Sequence, residues 1–436
     1  CYATGSVTVH SRNGVATAAE GTRVGGLVGV SIIINGNETN TIKQCYATGD
    51  VTVVNYADTD ADALGYSAGG LVGLAHGTDI IESYATGTVN AGKGSGTTPV
   101  IAGGLVGFLG WSANSGVSDS GAWSDAQMSS ITDSYALGNV TADNSTSAAA
   151  PLYAGGLVGY MQINNTLRVS NSFACGSVIA QNNGNAAVRA GGLVGFINTG
   201  IISNNAALGA SVTAKGANAT RVAARIYANP ATDIGTANYA RQSMRVETSS
   251  SYSDILPPAM VFESIPPVMT GLLFLQGDVS NAAVGGMFVS DSGGSGLTAA
   301  SLTNAAMSAS GNGSGGSWNG SSITGIDLSS LTATSNSRNF DITLADNAGN
   351  SAVYRVSISP NRANPTLLSH FTVSAPTLQG TPTSVQQSAA SPHGQAVADS
   401  VFYSQSVWTG TGQLNFGSAW NFGGVVGRGY PRLGWE

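Results

Sequence analysis

Short apolar bursts return in a fixed order along residues 1–247, and none has the length or the 3.6-residue apolar period of an amphipathic helix. One block, Gly-Gly-Leu-Val-Gly, occurs at 25–29, 69–73, 103–107, 155–159 and 191–195. Its partner reads CYATG at 1–5 and 45–49, SYATG at 83–87, SYALG at 134–138, SFACG at 172–176, and in eroded form NAALG at 205–209. After each partner block the chain alternates apolar and polar residues, as in Val51-Thr52-Val53 and Val140-Thr141-Ala142, which is strand periodicity. Each repeat therefore predicts about three short strands separated by Gly and Asn turns. Stacked, they make a parallel β-solenoid, read here as right-handed; an antiparallel hairpin array or sandwich is the alternative.

Successive Gly-Gly-Leu-Val-Gly blocks lie 44, 34, 52 and 36 residues apart, so the insertions fall between the blocks, as loops do on the outside of a stacked core. Composition agrees. Charged residues make up 9 % of the chain against about 25 % in an ordinary soluble protein. In a stack with strands about 4.8 Å apart, a charge would sit beside its own copy in every rung, which favours Ser, Thr, Asn, Ala and Val. The 60 glycines are expected to supply positive φ at corners and to let neighbouring rungs approach closely. Cys1 and Cys45 hold equivalent places where later repeats have Ser83, Ser134 and Ser172. They are read as free buried thiols, with a disulfide as the alternative.

These blocks resemble the GLUG-motif repeats of bacterial surface proteins, including adhesin-like proteins and the non-catalytic regions of bacterial immunoglobulin-A peptidases. The resemblance covers about residues 1–245, with Arg221–Ile226 and Asn238-Tyr239-Ala240 resembling the degenerate repeat that ends such arrays. It implies an extracellular or cell-surface location and a structural or adhesive role, and supplies no active site.

The repeats stop near residue 248, where Ser249–Ser251 and the pairs Pro257-Pro258 and Pro266-Pro267 read as a linker over 248–264. Residues 265–360 read as strand, turn and strand. The turn Asp346-Asn347-Ala348-Gly349-Asn350 between alternating stretches resembles bacterial immunoglobulin-like β-sandwich domains. A connection rich in Pro, Ser, Thr and Gln is expected over 361–396. The tail 397–436 carries eight of the 31 aromatics and resembles the segment that follows GLUG arrays; it is expected to cap the open end of the solenoid. The fold class is thus all-β.

Candidate chemistry is sparse. His10, His76, His370 and His393 fall in no metal-ligand spacing and are expected to be exposed or in loops; the Asp291 and Asp346 segments are read as structural turns. Asp58, Asp60 and Asp62 have the D-x-D-x-D start of a calcium loop, but Ala63 and Gly69 stand where an EF-hand needs Gly and Glu. They remain a weak metal candidate, with calcium as the cofactor if any and a solvated acidic loop as the default. Trp111 and Trp123, in the longest insertion, are candidate anchors for a glycan or protein neighbour, or fold back on the solenoid wall.

Thirteen Arg and three Lys are scattered with no basic stripe, which argues against nucleic acid as a partner. No apolar run of membrane-spanning length and no signal peptide is read in this chain, which begins inside a repeat and looks like a mature piece or a fragment. Its first edge is then expected to be covered by upstream repeats or by another subunit.

The leading reading is a non-enzymatic extracellular bacterial surface protein, structural or adhesive, that assembles with itself, as in filaments, or binds a host or matrix protein or a glycan. The alternatives are a carbohydrate-active β-helix enzyme, with carboxylates converging in a groove on one face, and a spacer of a larger surface peptidase.

Overall fold

The computed structural model describes residues 1–10, 22–33, 38–57, 66–95, 99–110, 129–144, 150–162, 167–198, 200–217, 221–229, 235–249, 268–270, 274–285, 288–290, 307–310, 317–318, 323–345, 351–383, 393–410 and 414–436. The chain divides into two compact units, Cys1–Ala259 with Gln387–Glu436, and Met260–Gln386.

In the first unit one turn of chain forms five short strands: β1 (Tyr2–Ala3), β2 (Val7–His10), β3 (Arg23–Gly25), β4 (Val28–Ile32) and β5 (Asn40–Lys43). The next turn repeats them, each strand parallel to its copy. Tyr46 lies opposite Tyr2, Val51 opposite Val7, Gly69 opposite Gly25, Val72 opposite Val28 and Ile80 opposite Ile42. The result is five parallel sheets of 8, 7, 6, 5 and 6 strands, a β-solenoid. Each turn has five walls rather than the three expected, because strands as short as Tyr2–Ala3 show no alternation that sequence could register.

Equivalent side chains stack in the interior. Leu71, Leu105, Leu157 and Leu193 form one fully buried column, and Val51, Val89, Val140, Val178 and Val212 another, none more than 1 % exposed. Each such side chain contributes about 1.5–3 kcal/mol by leaving water.

The motif glycines act differently from expectation: at Gly69 and Gly87 the need is close approach rather than positive φ. A Cβ on Gly69 would lie 2.0 Å from the Val72 carbonyl oxygen, and one on Gly87 2.0 Å from that of Gly49. The left-handed corner is occupied instead by non-glycine residues, with Gln44, Glu82, Asp133, Asn171, Asn204 and Ala237 at φ of 52°, 47°, 49°, 48°, 58° and 52°.

At the C-terminal side of the stack, Gln395–Val397 adds a parallel strand to Tyr239–Arg241. The tail beyond it does not merely cover the last rung. It runs back over the wall made by the copies of β1, where Trp408, Phe416, Trp420, Val425 and Leu433 share one buried cluster with Tyr135 and Phe173.

The second unit is antiparallel. A hairpin of Arg338–Ala345 and Ser351–Pro360 pairs with Met307–Ser310, Phe371–Val373 and Thr377–Thr383. A four-stranded sheet of Phe274–Asp278, Asn281–Gly285, Ile323–Ile326 and Ser317–Trp318 shares a core with it through Val284, Ile323, Ile342 and Val356. Residues 371–383, read from composition as connection, thus supply two strands; their Pro and Thr content masked an edge pairing that only the hairpin partner completes.

Candidate functional site

The site is built where three side-chain columns meet at one corner of the solenoid. The first column is the left-handed row itself. Asn and Asp tolerate this conformation because their short polar groups bond locally. Here the row is also stitched from rung to rung: the Gln44 amide donates to Glu82 Oε2 at 2.8 Å, and Asn204 Nδ2 donates to Asn171 Oδ1 at 2.6 Å. Lys43 pairs with Glu82 at 3.5 Å.

One residue further on stands the column Cys45, Ser83, Ser134, Ser172, Asn205, Asn238. The backbone N–H of each donates to the side-chain oxygen of the next, from Cys45 N to Ser83 Oγ at 3.1 Å up to Asn205 N to Asn238 Oδ1 at 3.3 Å. The place therefore selects a buried acceptor, not only a small side chain. Cys1 and Cys45 are free thiols; Cys45 is buried as expected, but Cys1 is exposed, because it lies on the outermost described rung. Cys175 is also free, and burial pushes its thiol up to about 12.

Next comes an aromatic column of Tyr2, Tyr46, Tyr84, Tyr135 and Phe173, with ring centroids 5.1, 5.0, 4.8 and 4.9 Å apart and planes within 8° of parallel. The tail lies on it. Trp435 stacks over Tyr46 and Tyr84 at 6.2 and 5.8 Å, and Trp420 meets Tyr135 and Phe173 at 6.1 and 5.4 Å.

Each of these indoles also bonds the left-handed row, Trp435 Nε1 donating to the Glu82 carbonyl at 3.0 Å and Trp420 Nε1 to Asp133 Oδ1 at 2.9 Å. Tyr135 donates its hydroxyl to Glu436 Oε1 at 2.9 Å; burial, reinforced by that carboxylate, holds its proton well above the ordinary phenol range. Burial also raises Asp133, with the Glu82 charge adding to it and hydrogen bonds from Trp420 and Asn171 opposing.

Between the row and the returning tail runs an open groove of about 570 Å³. Gln44, Glu82, Asp133 and Asn171 form one side, and residues 417–419, Gly434 and Trp435 the other.

The row Gln44, Glu82, Asp133 and Asn171 was not singled out in the sequence. The signal was nonetheless there, as a polar residue immediately before each S/C-Y/F-A block from Cys45 to Ser172. Of the residues that were singled out, Asp58, Asp60, Asp62, Trp111 and Trp123 lie outside the described residues, as do Asp291 and Asp346. His76 is a correction: it ends the strand Val72–His76 in register with Ile32 and is 2 % exposed, because the sheet continues through that position. Among the described residues no three His, Cys, Asp or Glu are grouped to hold a metal, and no helix is long and apolar enough to cross a membrane.

Residues 65–90 match the family model described as the GLUG motif. No curated protein and no solved structure matches the chain. The matched stretch contains one Gly-Gly-Leu-Val-Gly block, one Ser-Tyr-Ala-Thr-Gly block and the strands they form, the same elements that stack above and below it. Residues 65–90 thus carry a GLUG motif, and the repeats that share its two blocks build a parallel β-solenoid.

Proposed function

We propose that the chain is a non-enzymatic structural or adhesive component of an extracellular bacterial surface. The observation that carries this reading is the in-register stacking of uncharged side-chain columns, clamped along one wall by an aromatic tail. Every rung satisfies the backbone of its neighbours, so the stack is stiff without charge or cofactor. The second unit, antiparallel sheets on one core, is read as an immunoglobulin-like module. Low charge also suits association between copies, for which light scattering across a concentration series is the check.

Antibody labelling of intact and permeabilised cells tests the location: signal on intact cells is expected, and signal only after permeabilisation would overturn the reading. Beads coated with the chain test adhesion to immobilised matrix proteins and glycoconjugates.

The groove also gives a hydrolytic reading a specific location, since Glu82 and Asp133 both line it. Both carboxylates are already engaged, Glu82 by Lys43 and Gln44 and Asp133 by Trp420, which favours a holding role over an acid–base one. Chromatography of oligosaccharides incubated with the chain separates the two, because shortened products would require the enzyme.

A further inference from the structure

We propose that the groove between the left-handed row and the tail binds a neutral oligosaccharide. The proposal rests on the adhesive reading and gives it a ligand class. Its volume, about 570 Å³, is that of a small-ligand site rather than of a protein epitope.

The lining selects among small ligands. Apolar cofactors favour pockets walled by hydrophobic side chains, whereas here one wall is two amides and two carboxylates. The amides both accept and donate and the carboxylates accept, a combination that matches adjacent hydroxyls on a sugar ring. They are presented at the rung repeat of about 4.8 Å on a stacked backbone, so their spacing is set before any ligand arrives. The Trp435 indole on the opposite wall supplies the apolar surface that a sugar's C–H face requires. Glu82 and Asp133 in the lining disfavour uronate or sulfated chains, and so direct the choice to neutral ones.

The structure also offers a way to close the groove without disturbing its walls. Gly417 lines the groove, a Cβ there meets nothing within 4 Å, and the residue has no positive φ, so Gly417→Trp adds an indole at the groove's margin with its backbone unstrained. Gly427, on the same tail and equally open, takes a matched control, Gly427→Trp.

The experiment is an array of neutral and acidic oligosaccharides probed with the intact chain, followed by calorimetric titration of the bound neutral saccharides into wild type and both variants. The expected result is binding of neutral members only, weakened at least tenfold by Gly417→Trp and unchanged by Gly427→Trp, with all three proteins melting alike. Binding undiminished in Gly417→Trp, or no neutral saccharide bound at millimolar concentration, would overturn the proposal. A blank array from protein whose coated beads still adhere removes the groove site and leaves the adhesive reading standing; loss of both removes both.

Discussion

A left-handed corner outside glycine costs of order 1–3 kcal/mol, yet this solenoid repeats one in six successive rungs. The cost is offset by bonds between corners, such as Gln44 to Glu82 and Asn204 to Asn171, and by the buried acceptor column beside them. At that column, Ser134→Ala removes the acceptor for the Ser83 N–H and leaves a buried donor unmatched. We expect a loss of about 1–3 kcal/mol by chemical denaturation. Ser134→Asn should recover part of it, since Asn205 fills the equivalent place. Glycine is tested in the same way. Gly87→Ala drives a methyl into the Gly49 carbonyl and should cost about 3 kcal/mol or more, whereas Gly417→Ala should leave the melting temperature unchanged. That the motif glycines matter was legible in their recurrence; that φ > 0 belongs to Glu82 and Asp133 was not, because a polar residue before a Ser or Cys looks like any surface position.

For the tail as an element, docking depends on two indoles that each stack on the aromatic column and donate to the left-handed row. Trp420→Ala removes a side chain that is 5 % exposed and should destabilise by about 3–5 kcal/mol. Limited proteolysis should then cut residues 414–436 before the solenoid. Asp133→Asn is a finer probe, since the amide oxygen can still accept from Trp420. A carboxyl whose folded pKa is raised holds its proton more tightly when folded, so its contribution favours the folded state at low pH and is lost as pH rises through the raised value. Asp133→Asn should therefore be at least as stable as wild type at neutral pH and should lack that component of the pH dependence. Melting curves from the carboxylate range to neutrality check both points. The aromatic richness of the tail was plain in the sequence, but its docking wall was not: Trp420 and Asp133 are 287 residues apart, and nothing in either neighbourhood refers to the other.

Over the molecule as a whole, the last rungs introduce an acid-sensitive element. Arg225 is fully buried and donates to the Gly394 carbonyl at 3.1 Å. Burial, with the Arg225 charge adding to it, lowers the neighbouring His393 from 6.5 to about 4. A histidine depressed in the folded state stabilises it above 6.5, and that stabilisation is lost as pH falls from 6.5 towards 4. The loss amounts to at most about 3 kcal/mol for the single group. His393→Gln should flatten the stability profile across this window while matching wild type above it, as followed by thermal melts in a buffer series. A wild-type profile already flat between these values would contradict the assignment.

The sequence alone determined the parallel stack. Identical short blocks in fixed order can bury their apolar faces only against their own copies, so Gly-Gly-Leu-Val-Gly and the S/C-Y-A-T-G block specify register by repetition. The number of walls, the sign of φ at the corner, the acceptor role of Ser83 and its equivalents, and the wall chosen by the tail were decided by tertiary structure. These depend on contacts between residues that do not repeat, or on strands as short as Tyr2–Ala3 that carry no periodicity of their own. The groove belongs to this second class: one side is a repeated corner and the other a unique tail, and it exists only once the two have been brought together.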